Sequence, residues 1–119
     1  MPKPYTCELR KETLIALKKG RWQLGGKRRP TNWVPQTVKR SDGFEDYHTH
    51  YSARQLLEDE LSKGVEVFEM SLDHPPNGTG YYFEIPIKDS VEKLYVKFEI
   101  VSGCVIGRSF HISEKKDKI

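Results

Sequence analysis

Cysteine is scarce. Cys7 and Cys104 are the only two in 119 residues, and neither belongs to a paired-cysteine motif. Two isolated thiols define neither a disulfide framework nor a thiolate metal centre, so an apolar core must hold the fold, and a cytoplasmic protein with reduced cysteines is expected. Long apolar runs are missing as well. Nothing approaches the ~18 consecutive apolar residues of a membrane span, and the first residues, with Pro2 and Pro4, lack the apolar centre of a cleavable leader. Neither membrane insertion nor signal-directed secretion is expected. The chain has no internal repeat and no low-complexity segment. Leu24-Gly25-Gly26-Lys27 lacks the spacing of a phosphate-binding glycine loop, and no strand is predicted before it, which removes that nucleotide-binding class.

The most informative absence is of acid. Between Arg10 and Arg40 the one acidic residue, Glu12, stands among ten Lys and Arg, half of the chain's 20. That stretch is about +9, and the remaining ten basic and 16 acidic residues leave the rest about −6, so the net charge of +3 conceals a dipolar molecule. Trp22 and Trp33 lie in the same stretch. Basic side chains neutralise phosphates and release counterions, and indole faces stack on unpaired bases. Arg21, Trp22, Lys27, Arg28, Arg29, Trp33, Lys39 and Arg40 therefore form a candidate nucleic-acid-binding set. The same charge suits docking of an acidic protein, or solvation alone.

With 36% hydrophobic and 31% charged residues, the chain is expected to form one globular domain, 1–119. Thr6 as a cap, the apolar set Leu9, Leu14, Ile15, Ala16 and Leu17, and a stop at Gly20 predict a helix over 6–19, with Lys18 and Lys19 favourably placed in its last turn. Residues 21–51 offer Gly25, Gly26, Pro30, Pro35 and Gly43 without sustained periodicity. They are expected to form a basic, tryptophan-containing functional loop. Ser52 with Gln55 three residues on suggests a capping box opening a helix over 53–63, whose stripe of Ala53, Leu56, Leu57 and Leu61 ends at Gly64. From Val65 the period changes from 3.6 to two. Strands are predicted over 65–72, 81–87, 94–101 and 104–112, with a loop over 73–80 and a tight hairpin at Ser102-Gly103. The fold class expected is α+β, with two N-terminal helices packed on a four-stranded antiparallel β-meander and a frayed charged tail over 114–119.

Alternation in the strands turns Tyr81, Phe83, Ile85, Ile87, Leu94, Val96, Phe98 and Ile100 inward. It turns Tyr82, Glu84, Tyr95, Lys97, Glu99, Ser109 and His111 outward. Cleavage of RNA without a metal needs a base for the 2′-hydroxyl proton, an acid for the leaving oxygen and a cation for the phosphate. His111 and Glu84 are candidates for the first two. Lys97 or Arg108 could supply the third, although counting by twos buries Arg108 unless a bulge at Gly107 resets the register. The bland alternative is a set of cross-strand pairs that stabilise the sheet by roughly a few tenths of a kcal/mol each. Asp46, His48, His50 and His74 bear ligand-capable side chains, but a His-x-His pair without a well-spaced third and fourth ligand does not define a centre. Neither a metal nor an organic cofactor is expected.

The order helix, loop, helix, antiparallel strands, ending in Tyr95-Val96-Lys97-Phe98 and Ser109-Phe110-His111, resembles the motility quorum-sensing regulator family of mRNA-cleaving toxins. That family belongs to the RelE-like group of small bacterial ribonucleases. The likeness covers roughly residues 81–113. It implies that Tyr95 and His111 belong to an active site and that a neutralising antitoxin-like protein is a partner. His111 stands where those toxins carry Lys, and the tryptophan-containing loop has no counterpart in them. The function expected is a toxin-like, metal-independent endoribonuclease acting on single-stranded RNA, with His111, Glu84, Lys97, Tyr95 and Arg108 as its chemical groups. The alternative is a non-catalytic nucleic-acid- or protein-binding module that uses the basic stretch 10–40.

Overall fold

The computed structural model describes residues 5–25, 32–39, 47–72, 78–87 and 91–113. Thr6 accepts a hydrogen bond from the Leu9 amide and caps helix α1 (Cys7–Lys18), as its sequence predicts. The second helix starts earlier than expected. Helix α2 (His50–Lys63) is capped by Thr49, whose hydroxyl accepts the Ser52 amide while Ser52 Oγ accepts the Thr49 amide. Ser52 is thus the third-residue half of the capping box and not the cap. Gly64 ends the helix in the left-handed conformation, at φ 90°.

The two helices are tied antiparallel by reciprocal guanidinium caps. Arg10 of α1 donates to the carbonyls of Leu61 and Val65, at 3.0 and 2.7 Å, and Arg54 of α2 donates to the Leu17 carbonyl near the end of α1. Each arginine adds a side-chain donor to carbonyls at or just past a helix end, where the regular intrahelical ladder stops. Arg10, counted in the basic stretch, is therefore a structural residue.

The architecture is α+β, and the sheet is larger than predicted and mixed. Two short strands from the supposed loop, β1 (Trp22–Leu24) and β2 (Asn32–Trp33), lie parallel to the last strand; a 3-10 turn, Pro35–Thr37, and an isolated bridge between Lys39 and Tyr47 follow. The expected antiparallel meander is present as β3 (Phe68–Leu72), β4 (Gly78–Pro86), β5 (Lys93–Val101) and β6 (Cys104–Ile112). Among the described residues the sheet has six strands, ordered β1-β6-β5-β4-β3, with β2 also on β6. Strands of three and two residues are too short to show alternation, which is why the arm looked irregular. Their physical role is legible: they cover what would be an exposed apolar edge of β6. β1 does precede Gly25-Gly26, although the spacing of a phosphate loop is still lacking. Ser102 and Gly103 have φ of 50° and 75°, the pair of left-handed residues that a type I′ hairpin requires.

One sheet face is covered by the helices. Ala16 and Leu17 from α1 and Ala53, Leu57 and Leu61 from α2 pack with Tyr81, Phe83, Leu94, Val96, Phe98, Val105 and Phe110. Of the predicted inward set, Ile85, Ile87 and Ile100 are only half-buried. Trp33 joins this core from β2. The predicted tail, 114–119, lies outside the described residues.

Candidate functional site

Register fixes which side chains share the face away from the helices. Glu84 lies opposite Tyr95, and Tyr95 opposite His111, in one row across β4, β5 and β6. The adjoining row runs Phe68, Tyr82, Lys97, Ser109 and Asn32, across β3, β4, β5, β6 and β2. The face is not uniformly open. Phe68 and Asn32 are exposed; Tyr82, Glu84, Tyr95, Lys97 and His111 are half-buried; and Glu99, Ile106, Arg108 and Ser109 are buried.

A bulge brings Arg108 to this face. Lys97 pairs with Ser109 whereas Phe98 pairs with Gly107, so Arg108 is an extra residue on β6. Its Nη1 donates to Glu99 Oε2 at 2.5 Å, with the two side chains 5% and 3% exposed. Glu99, predicted to face solvent, is the buried partner of this guanidinium. The neighbouring Gly107 has no room for a side chain, since a Cβ there would stand 2.7 Å from the Trp22 ring.

Four rings run diagonally across the face. Phe68 and Tyr82 have centroids 5.4 Å apart, Tyr82 and Tyr95 5.4 Å, and Tyr95 and His111 5.3 Å, with planes inclined by 30–34°. Tyr95 donates to Met70 Sδ at 3.7 Å, a weak acceptor. Burial first, then Tyr82 and Glu84, pushes the Tyr95 hydroxyl up to about 12, so at neutral pH it is a hydrogen-bond donor and not a base. His111 Nδ1 lies 2.7 Å from the Ile112 carbonyl. A carbonyl can only accept, so Nδ1 carries a proton, and the neutral ring keeps its lone pair on Nε2.

The described part of the basic arm is not gathered on this face. Trp33 is 5% exposed, with its ring 5.2 Å from both Trp22 and Phe110, and so offers no face to a base. Trp22 lies against Gly107 on the helix side, because its pairing with Val105 gives it that residue's orientation. Arg21 is exposed beside the Ser102-Gly103 turn, roughly 23 Å along β6 from His111 at the usual rise per residue. Lys39 is exposed, with Nζ 6.0 Å from the Tyr47 ring centroid. The expected stacking role of the tryptophans is corrected accordingly: strand pairing turns them inward. Lys27, Arg28, Arg29 and Arg40, together with Asp46 and His74, lie outside the described residues. Sequence reasoning missed Phe68, which the apolar alternation of Phe68, Met70 and Leu72 would have turned inward, and Asn32, which no signal marked because β2 has only two residues.

On the helix side a cleft of about 660 Å³ opens between α2, the ends of β4 and β5, and Val38, Lys39, His48 and Thr49. His48 is buried beside it, with Nδ1 2.9 Å from Ser52 Oγ and its ring edge-on to Phe110, while His50 is exposed in the first turn of α2. Among the described residues no three His, Cys, Asp or Glu side chains are grouped to hold a metal, and no helix is long and apolar enough to cross a membrane. No family model, curated protein or solved structure matches the chain.

Proposed function

We propose that the chain is a metal-independent endoribonuclease that holds single-stranded RNA on the sheet face away from the helices and cleaves it by attack of a 2′-hydroxyl on the adjoining phosphorus. The row Glu84, Tyr95, His111 carries this proposal. In-line displacement puts the attacking and leaving oxygens on opposite sides of phosphorus, so base and acid must flank the phosphate. Glu84 and His111 stand one strand to either side of Tyr95, roughly 10 Å apart at the backbone for two strand spacings. With the phosphate over Tyr95, His111 and Glu84 divide the two proton transfers, one taking the 2′-hydroxyl proton and the other delivering a proton to the departing 5′-oxygen. The bond from O2′ to phosphorus forms as the bond to O5′ breaks, leaving a 2′,3′-cyclic phosphate and a 5′-hydroxyl. The Tyr95 hydroxyl exchanges its weak sulfur acceptor for a phosphate oxygen, and Lys97 in the adjoining row offsets the charge. The Gly25 amide donates to the Gly107 carbonyl at 3.2 Å, and Asn32 pairs with Ser109, so β1 and β2 both lie on the strand that carries His111. The likeness to motility quorum-sensing regulator toxins accords with this function and adds a neutralising, antitoxin-like protein partner and a cytoplasmic site of action.

The purified chain with single-stranded RNA in the presence of EDTA is expected to yield cyclic-phosphate ends, and a 2′-deoxy substitution at the cut should block the reaction. His111→Ala and Glu84→Gln are expected to slow cleavage by roughly 10²–10⁴-fold. Equal cleavage by wild type and His111→Ala removes His111 from the mechanism. The burial of Arg108 against Glu99 favours a second function, binding without turnover, because a cation that could offset transition-state charge is already neutralised. RNA affinity that falls steeply with salt, with no product at long times, is its expected signature.

A further inference from the structure

We infer that the helix-side cleft binds a guanine nucleotide, at a site separate from the sheet face and independent of the cleavage chemistry. Its volume of about 660 Å³ lies within the range of small-molecule sites. Leu56, Ile85 and Ile87 give it an apolar floor suited to a flat ring, and one wall is a face of α2. Asp59 and Lys63 both line that wall, four residues apart and hence side by side on the helix surface. Gln55 Nε2 donates to Asp59 Oδ1 at 3.0 Å, which steadies the carboxylate and leaves it acceptor capacity on both oxygens.

A carboxylate beside an ammonium presents paired acceptors next to a donor. Guanine is the one common base whose Watson–Crick edge answers this pattern, with two adjacent N–H groups followed by a carbonyl oxygen. Adenine, cytosine and uracil each offer at most one donor group there, and leave an acceptor facing the carboxylate. The base therefore lies on the apolar floor with Asp59 accepting from N1 and N2 and Lys63 donating to O6. Glu60 lines the same end of the cleft and repels a phosphate placed there. The phosphate accordingly points toward Lys39 and the start of α2, roughly 14 Å from Asp59 along the helix axis at 1.5 Å per residue, where the helix dipole also favours an anion.

Titration of the full chain with GMP and with AMP, followed by calorimetry and by amide NMR shifts, tests the assignment. GMP is expected to bind about tenfold or more tightly than AMP, with shifts centred on Asp59 and Lys63. Asp59→Asn should erase that preference while melting like wild type, since Asp59 is exposed on the helix. Equal affinity for the two nucleotides, binding of neither, or a preference that survives Asp59→Asn overturns the assignment. Competition against GMP by a single-stranded oligonucleotide containing one guanine, but not by its adenine counterpart, shows that the base comes from a strand. A failure to compete shows that the site takes the free nucleotide. Neither readout involves cleavage, so loss of the proposed nuclease activity would leave this result standing.

Discussion

Replacing Gly107 by alanine probes the least foreseeable feature of the fold, the seating of the arm on β6. A Cβ at Gly107 stands 2.7 Å from Trp22 Cη2 and 3.0 Å from Leu24 Cδ2, well inside the roughly 3.5–4.0 Å at which two carbons attract. Trp22 has little room to retreat, because its ring lies 5.2 Å from that of Trp33, which is itself buried and 5.2 Å from Phe110. Relief requires β1 to lift from β6 or the indole to rotate, a case of overpacking that costs about 1–3 kcal/mol. Gly107 does not have a positive φ, so alanine introduces no backbone strain and regains roughly 0.5–1 kcal/mol through the restricted unfolded chain. The net expectation is a destabilisation of about 0.5–2 kcal/mol, measured as a lower urea midpoint. Tryptophan emission of the native state should shift to the red as Trp22 is displaced. An unchanged midpoint with an unchanged native spectrum would refute the contact between Trp22 and Gly107, and with it the parallel pairing of the arm.

Alkaline unfolding should report on Tyr95, whose hydroxyl is held at about 12 against the ordinary 10.0 by burial and then by Tyr82 and Glu84. The unfolded chain loses that proton first, so the associated stability is complete below pH 10 and drains away as the pH rises to about 12. With the ring half-buried the loss should be on the order of 1 kcal/mol, and Tyr95→Phe should flatten it relative to wild type in an alkaline titration followed by circular dichroism. Thr49→Ala removes the acceptor of the Ser52 amide at the start of α2 and should cost about 1 kcal/mol in chemical denaturation, whereas Ser62→Ala on the exposed side of the helix should be near neutral.

Much of the fold could be read because its signals are local. The cap at Thr6, the stop at Gly64, the alternation of Leu94, Val96 and Phe98, and the Ser102-Gly103 turn each rest on a few neighbouring residues, and each is realised. The misses are non-local. β1 and β2 exist because β6 offers them an edge, and nothing within three or two residues can announce a partner some 80 positions away. The same fact explains the tryptophans. In a basic stretch they look like a stacking platform, but once β1 and β2 pair in parallel with β6 the indoles acquire the orientation of Val105 and Phe110 and turn inward. The row of Glu84, Tyr95 and His111 was legible by counting alone, because the pairings among β4, β5 and β6 keep the expected alternation at that end of the sheet.

At the other end, the conflict between alternation and charge is resolved by the bulge. Strict alternation over β6 would point Arg108 toward Phe98 and Phe110, where a guanidinium without a counter-charge is prohibitive. One extra residue costs a ladder pair and moves it to Glu99, so the inward set becomes Val105, Gly107, Phe110 and Ile112, with a step of three in place of two. That interrupted spacing is written in the sequence, but only the burial of charge gives it meaning. A buried ion pair seldom stabilises a fold more than apolar residues of the same size, whereas removing one partner costs about 3–5 kcal/mol. Glu99→Ala should therefore lower the urea midpoint sharply, while the double replacement Glu99→Leu with Arg108→Met should be close to neutral or stabilising. If the pair orders Lys97 and Ser109 beside the reacting phosphate, the double variant will fold at least as well as wild type and cleave RNA more slowly, with RNA affinity little changed. A double variant as active as wild type would make the pair scaffolding alone and remove Arg108 from the chemistry.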